Sequence, residues 1–343
     1  MKSFFSRGVS LKFQTILIFS LFRLLLVAPE VFSEPMKVEV GMYVLDVSKI
    51  DIKDNQFFAD FYLWFKWVPR EPIASWSPES VEFMNGSVDS SWEPIRKQLS
   101  DGSSHWIRRF RGTFRSRFNL QSYPFDTQTL PILLEDNDQE AQNLEFSPNL
   151  LGNSRPNCQI ETSVQVPGWK IKTAEPTVDL HVYETDFGEK PEKTLSDELR
   201  NGKYSRFSFM INLERLFVPH LIKFVIPLLV IAGMAYMVFF INEKEFGAQC
   251  GICITSLLSA VALHSSQANA LPAVGYLVVA DKIFILFYIL IFSALFQTVV
   301  VDWYAKLGDK DFPAKLDKIF RICYPLVLLL GSFIIFVSSG FQP

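Results

Sequence analysis

The sequence predicts an all-β extracellular sandwich followed by a four-helix transmembrane bundle, a multi-domain membrane protein. Three observations predict it. Charge is segregated: the net charge is −7 from Glu34 to Arg215 and +1 from Leu216 onward. Four long apolar segments follow residue 216. The polar half alternates apolar and polar residues with the period of a strand. Composition agrees. Of 343 residues 49% are hydrophobic, 33 are Phe, and mean hydropathy is +0.19, which argues against a soluble enzyme and against disorder. A net charge of −3 implies no nucleic-acid partner, and four scattered Cys make no disulfide scaffold.

Residues 1–33 read as a signal peptide. Lys2, Arg7 and Lys12 precede an apolar core at 13–28, and Val31-Phe32-Ser33 suits cleavage before Glu34. An uncleaved anchor is the other reading; both send the polar half across the membrane. Residues 34–215 form the predicted sandwich. Phe57, Ala59, Phe61, Leu63, Phe65 and Trp67 share one strand face, and Asp60, Tyr62, Trp64 and Lys66 the other. Arg109, Arg111, Thr113, Arg115 and Arg117 alternate with Phe110, Gly112, Phe114, Ser116 and Phe118. That run reads as a solvated face opposite neighbouring acids, with an anionic partner as the other reading. Short strands broken by Pro, Gly and Asn-Gly turns suggest a sandwich, and Asn85-Gly86-Ser87 is a glycosylation sequon.

Residues 216–343 hold four spans, at about 218–241, 246–268, 276–301 and 316–337, each able to cross ~30 Å of hydrocarbon. Pro219 and Pro227 fall early in the first, where neighbouring helices can satisfy the freed carbonyls. The connection 302–315 and the helix start after it carry Lys306, Lys310, Lys315, Lys318 and Arg321, whereas 269–275 is uncharged. The positive-inside rule then puts the β half and the C-terminus on the periplasmic or extracellular side of the cell (inner) membrane.

The second span is unlike the others. At helical spacing Gly251, Thr255, Leu258, Ala262, Ser265 and Asn269 form one stripe, small or polar except for Leu258. Such a stripe lines a water-filled pore, where a ring of Leu258 would be a dewetting gate, or it serves close helix packing. The residues leave both open. His264 lies off the stripe and reads as hydrogen-bonded to a neighbouring helix. Cys250 and Cys253 lack the second pair a metal site needs.

Several motifs then resemble one family. Tyr123-Pro124-Phe125-Asp126-Thr127-Gln128 resembles the F/Y-P-F-D-x-Q signature of pentameric ligand-gated ion channels, the Cys-loop receptors. The paired cysteines would fall at Ser116 and Leu130, so the chain resembles the bacterial branch that lacks that disulfide. Trp76-Ser77-Pro78-Glu79 is similar to W-x-P-D, Cys253–Ser259 to the pore-helix core, and Leu271-Pro272 to its end. The resemblance covers about residues 37–340.

It implies a ligand-gated channel: a homopentamer, each chain joined by four further copies, with an axial pore and an agonist site between adjacent sandwiches. By position Tyr62, Phe83, Asn137, Tyr183 and Tyr204 fall at the ligand site, with Glu135, Asp136 and Asp138 beside them. Glu184, Asp186, Glu189, Glu192, Asp197 and Glu198 make the capping loop acidic. Aromatic rings and carboxylates suit a small cationic ligand. Glu135, Asp136 and Asp138 could instead hold Ca²⁺ as a modulator, and a proton is a third agonist. Gating coupling is expected at Asp51 or Asp54, Tyr123, Pro124, Phe125, Asp126, Arg215 and Pro272, with Asp126 pairing Arg215 and Phe125 packing toward Pro272–Tyr276. At the cytoplasmic mouth Gly247, Ala248 and Gln249 replace the family's selectivity residues, and a Glu245 ring favours permeant cations. The competing readings are an anion-selective channel and a non-conducting receptor. No Ser-His-Asp order, metal cluster or phosphate loop supports an enzyme.

Overall fold

The computed structural model describes residues 34–152, 155–185, 202–308 and 311–338. The expected leader and the loop acids Asp186, Glu189, Glu192, Asp197 and Glu198 lie outside the described residues. Thirteen strands form among the described residues: β1 (Met36–Asp51), β2 (Gln56–Trp67), β3 (Val81–Phe83), β4 (Gly86–Ser91), β5 (Ile95–Gln98), β6 (Ser104–Arg115), β7 (Thr127–Asp136), β8 (Leu144–Pro148), β9 (Leu150–Leu151), β10 (Arg155–Pro156), β11 (Cys158–Ile160), β12 (Trp169–Val182) and β13 (Lys203–Arg215). One sheet runs β11-β1-β2-β6-β4, with β8 also on β1 and β5 also on β6; a second runs β12-β13-β7-β3, and β9 and β10 pair with each other alone.

The alternation read in β2 decides its packing. Phe57, Ala59, Phe61, Leu63 and Phe65 are all buried between the sheets. They meet Leu130, Ile132 and Leu134 of β7 and Phe207, Phe209, Ile211 and Leu213 of β13 in one core. Each such large side chain contributes about 1.5–3 kcal/mol. On the outer face the fold needs one close approach: a Cβ on Gly41 would sit 2.1 Å from the Trp64 indole. Asn85 braces the sandwich through its side chain. Its side chain donates to Arg115 O (2.8 Å) and Pro131 O (2.7 Å) and accepts from Leu133 N (3.0 Å).

Among the described residues four helices are long and apolar enough to span a membrane: α1 (Phe217–Phe240), α2 (Phe246–Ala268), α3 (Val279–Lys306) and α4 (Asp311–Ser338). Between Pro219 and Pro227, Leu221–Val225 widens to a π-helical turn, which absorbs the backbone disruption two prolines cause. α3 starts three residues later than the sequence suggests, because Val278 stays extended and donates its N–H to Asp281 Oδ2 at 3.2 Å. It then runs into the expected polar connection, carried by the i,i+4 pair Lys306–Asp302 (2.7 Å). α4, by contrast, starts earlier than the sequence suggests, on the acidic Asp311, which suits a helix N-terminus. Arg321, counted among the cytoplasmic charges, caps α1: its Nε and Nη2 donate to Phe239 O at 2.9 and 2.7 Å.

Candidate functional site: pore face and interdomain junction

α2 turns its interior side chains toward its own bundle by size and apolarity. Cys253, Ser256 and Ala260 are buried, and Ile252, Leu257 and Leu263 pack on the helices around them. Gly251, Thr255, Leu258, Ala262, Ser265 and Asn269 all lie on the exposed side, with Leu258 64% exposed. Ile254 and Val261 flank them. A helix face that is small, hydroxyl-bearing and unused by its own chain is suited to water or to copies of itself. The Thr255 hydroxyl donates to Gly251 O (2.8 Å), which leaves its oxygen lone pairs directed away from the helix backbone.

At the other end of α2, Glu245, Gly247 and Ala248 are exposed, but Gln249 is not. It is 6% exposed and donates to Ile241 O at 3.1 Å and to Val238 O at 3.5 Å. The last carbonyls of α1 lack intrahelical donors, and Gln249 supplies one. Its placement at the selectivity mouth is therefore corrected: it is a helix cap turned inward.

The junction between sandwich and helices is built on the loop 116–126. Ser116 Oγ donates to Thr129 O (2.6 Å), closing the loop where the family places a disulfide. Gln128 clasps it further, donating to Asn119 O (2.7 Å) and Asp126 Oδ2 (2.6 Å) and accepting from Asn119 N (3.1 Å). Asp126 and Arg215 form the expected pair: Nε donates to Oδ1 at 2.6 Å and Nη2 to Oδ2 at 2.9 Å, with side chains 2% and 8% exposed. The guanidinium also lies 4.1 Å from the Trp169 ring and 4.9 Å from the Tyr123 ring. Burial pushes the Tyr123 hydroxyl above its usual pKa, against the smaller opposing effect of Arg215.

The loop reaches α3 through its backbone. Val279 N donates to Gln121 O and Ala280 N to Tyr123 O, both at 3.2 Å, so loop carbonyls satisfy two of the orphan donors that open this helix. Leu120 N donates to Tyr276 Oη at 3.1 Å. Leu120 and Tyr123 join Phe224, Leu228, Val278 and Phe284 in a buried cluster. Phe125 departs from expectation. It stacks on Phe217 (4.9 Å) and meets Phe336 edge-on (5.7 Å), so it packs on α1 and α4 and not toward Pro272–Tyr276. The reason is steric: Leu120 and Tyr123 already occupy the α2–α3 side. Pro272 is half-buried beside that cluster, and the cis-linked Pro124 follows Tyr123. In the β1–β2 turn, Asp51 accepts from Lys53 N and Asp54 N, and Asp54 is exposed. The side chain that enters the junction there is Ile52. Ile52, Gln121 and Tyr276 were not singled out by sequence; only the apolar residue inside a charged turn marked the first.

The expected ligand residues do not form one cage. Phe83 packs in the core against Phe61, Phe110 and Phe114, with centroids 5.2–5.8 Å away, because β3 is short and turns its ring inward. Glu135 is 3% exposed, paired with Arg206, and accepts from Tyr183 Oη at 2.7 Å. Burial, then that bond, raises the Tyr183 pKa. Tyr204 meets Tyr183 edge-on at 5.7 Å. Asp136 accepts from Trp76 Nε1 (2.6 Å), Ser80 Oγ (2.6 Å), Asp138 N (3.0 Å) and Gln139 N (2.8 Å). Asn137 donates to Glu82 Oε1 at 3.2 Å. Glu135 and Asp136 therefore serve different networks, and among the described residues no group of three His, Cys, Asp or Glu could hold a metal. Asp138 meets Asp136 through its backbone N–H, so the three acids expected at a calcium site do not converge within the chain. Tyr62 stands apart on the other sheet, 37% exposed.

Comparison with known proteins agrees with this architecture. Residues 224–311 match the family model described as the neurotransmitter-gated ion-channel transmembrane region. The chain is also similar to a proton-gated ion channel of Gloeobacter violaceus, with 24% identity over 333 residues, covering 91% of this chain and 86% of that one. A β-sandwich joined through a Tyr-Pro-Phe-Asp loop to four such helices, with no cysteine at 116 or 130, is similar in sequence and architecture to the pentameric ligand-gated ion channels of the bacterial branch.

Proposed function

We propose that five copies of the chain surround an ion pathway lined by α2, and that movement of the sandwich on its junction opens or closes it. One observation carries the reading: the small and hydroxyl-bearing stripe of α2 is the face its own bundle leaves uncovered. Five copies would place Gly251, Thr255, Ala262, Ser265 and Asn269 along an axis, with Leu258 as the narrow apolar ring that excludes water when closed. Glu245, exposed below this stripe, would add five negative potentials at the cytoplasmic mouth and select cations. The sandwich and the C-terminus would face the periplasm, and the helices inner-membrane lipid. Protons are the stimulus we favour, because the relative above is proton-gated. His264 lies on the α3 side of α2, 3.2 Å from Asp281 Oδ1 and 2.9 Å from Tyr288 Oη.

The test is a planar-bilayer recording of the purified chain under a NaCl gradient with steps in pH. Wild type should conduct on acidification. Leu258→Thr should conduct at higher pH, because a hydroxyl ring wets more easily. Glu245→Gln should move the reversal potential toward zero selectivity. A silent Leu258→Thr oligomer, shown intact in the bilayer, would refute the pore.

A further inference from the structure

The seam between α1 and α4 holds a cation that the interdomain junction does not use. Pro325, inside α4, has no N–H to give the carbonyl four residues back, so Arg321 O is left without its helical donor. Tyr236 Oη of α1 donates there instead, at 3.0 Å. The guanidinium returns the contact. Its Nε and Nη2 both donate to Phe239 O, one of the last carbonyls of α1, and it lies 4.7 Å from the centre of the Phe240 ring. Arg321 is thus held at its backbone and at its side chain, both times by α1.

None of these contacts neutralises it. A carbonyl and a ring offer dipoles, not a charge. Asp317, four residues earlier, is the partner that helical spacing would supply, but it accepts from Gln297 Nε2 at 2.5 Å. Among the described residues no carboxylate comes within ion-pair distance of Arg321. Lys318, three residues before it on the same helix face, is exposed and adds a second positive charge.

The depth of the pair is set by the sequence. α4 carries no charge from Ile322 to Ser338, and α1 none from Phe224 to Phe240. Both apolar runs end at the level of Arg321 and Phe239, where hydrocarbon gives way to headgroups. Next to that level Met237, Phe240, Ile322 and Leu326 are exposed and apolar. A half-buried guanidinium held still at this depth, with Nη1 bonded to nothing among the described residues, is a ready donor to a planar or tetrahedral oxyanion. The anions that the bilayer itself supplies there are lipid phosphates.

We infer that Arg321 and Lys318 hold the phosphate of an anionic phospholipid, whose acyl chains lie on the exposed apolar residues of α1 and α4. The inference goes beyond the channel reading and does not depend on conduction.

The test titrates phosphatidylglycerol or phosphatidylcholine into the full chain, purified as its oligomer in neutral detergent, and follows the first lipid bound per chain by native mass spectrometry. Phosphatidylglycerol should bind at least ~5-fold more tightly, since each cation at a membrane surface contributes about that factor toward an anionic lipid. Lys318→Gln should lose about 5-fold and Arg321→Gln at least as much. Arg321→Lys should recover part of the affinity, because the charge returns without the fork. Should Arg321→Gln fail to assemble, Lys318→Gln decides, since that side chain is exposed. Lys223→Gln, an exposed cation near the other end of α1, should change nothing. Sodium phosphate at matched concentration should leave the lipid in place. Equal binding of the two lipids, unchanged phosphatidylglycerol affinity in either variant that assembles, or an equal loss in Lys223→Gln would overturn the inference. Displacement by sodium phosphate would make this a site for free anions and overturn it too.

Discussion

Replacing Arg215 by Ala is the most direct test of the junction. The substitution leaves Asp126 2% exposed with its two guanidinium donors gone. Removing one partner of a buried pair costs about 3–5 kcal/mol, because the remaining charge is neither solvated nor matched. The bond from Gln128 persists and keeps the cost near the lower end. Loss of the guanidinium between Trp169 and Tyr123 adds about 0.5–2 kcal/mol. For a sandwich of this size, 3–5 kcal/mol lowers the melting midpoint by roughly 6–20 °C. The assay is thermal melting of the purified oligomer, alongside current per surface channel. Asp126→Asn in the Arg215→Ala background should restore much of the midpoint, since it removes the unmatched charge, but not the gating. Because the pair is buried, the loss should persist at high salt, unlike the effect of breaking the exposed pair Lys66–Asp101. An Arg215→Ala chain with wild-type melting, assembly and gating would refute the reasoning.

Two further expectations concern the sandwich. Gly41→Ala should destabilise it by about 1–3 kcal/mol in urea titration, because the new Cβ meets the Trp64 ring, which is tied to Asn149 Oδ1 at 3.2 Å. His105 is held below its usual pKa, first by burial and then by Lys97 and Lys66. The unfolded chain therefore takes up a proton before the folded one. That stability is whole above about pH 6.5 and is lost as pH falls toward the lower folded value, so His105→Asn should flatten the acid side of a melting-versus-pH curve.

The sequence was most legible where one physical pattern dominated. Period-two alternation placed the core face of β2, and long apolar runs located four helices within a few residues, since both record burial directly. The ion pair of Asp126 and Arg215 was readable only because motif resemblance set two residues 89 apart side by side. Backbone contacts left no such trace. The carbonyls of Gln121 and Tyr123 that cap α3 carry no side-chain signature, and neither does the turn of Phe83 into the core. Gln249 misled for a related reason: spacing puts it near the pore mouth, but the open carbonyls of α1 compete for its amide and win. Arg109 and Arg111 were read as facing acids. One acid, Asp60, is there, and counting donors against acceptors required the geometry.

The arrangement also says where force enters the membrane domain. The loop 116–126 is closed by Ser116 and Gln128 into one block, and its carbonyls hold the first N–H groups of α3, not those of α2. In the proposed gating, motion of the sandwich would therefore reach α3 first. α2 follows through what joins the two helices at that end, and the polar tie is His264, bonded to Asp281 and Tyr288 and stacked on Phe284 at 4.3 Å. Asp281 is itself anchored by Val278 N, so the tie ends on the segment the loop grips. His264→Leu keeps the apolar stacking volume and removes both polar contacts. It should leave assembly and reversal potential unchanged but require a stronger stimulus for half-maximal opening, about tenfold if one net hydrogen bond of ~1–1.5 kcal/mol couples the helices. The comparison is the dose–response curve of the variant against wild type, with Leu258→Thr present in both so that the pore itself conducts. Superimposable curves would mean that α2 is moved by packing alone, through Leu263 and Leu271, and that the histidine carries no coupling.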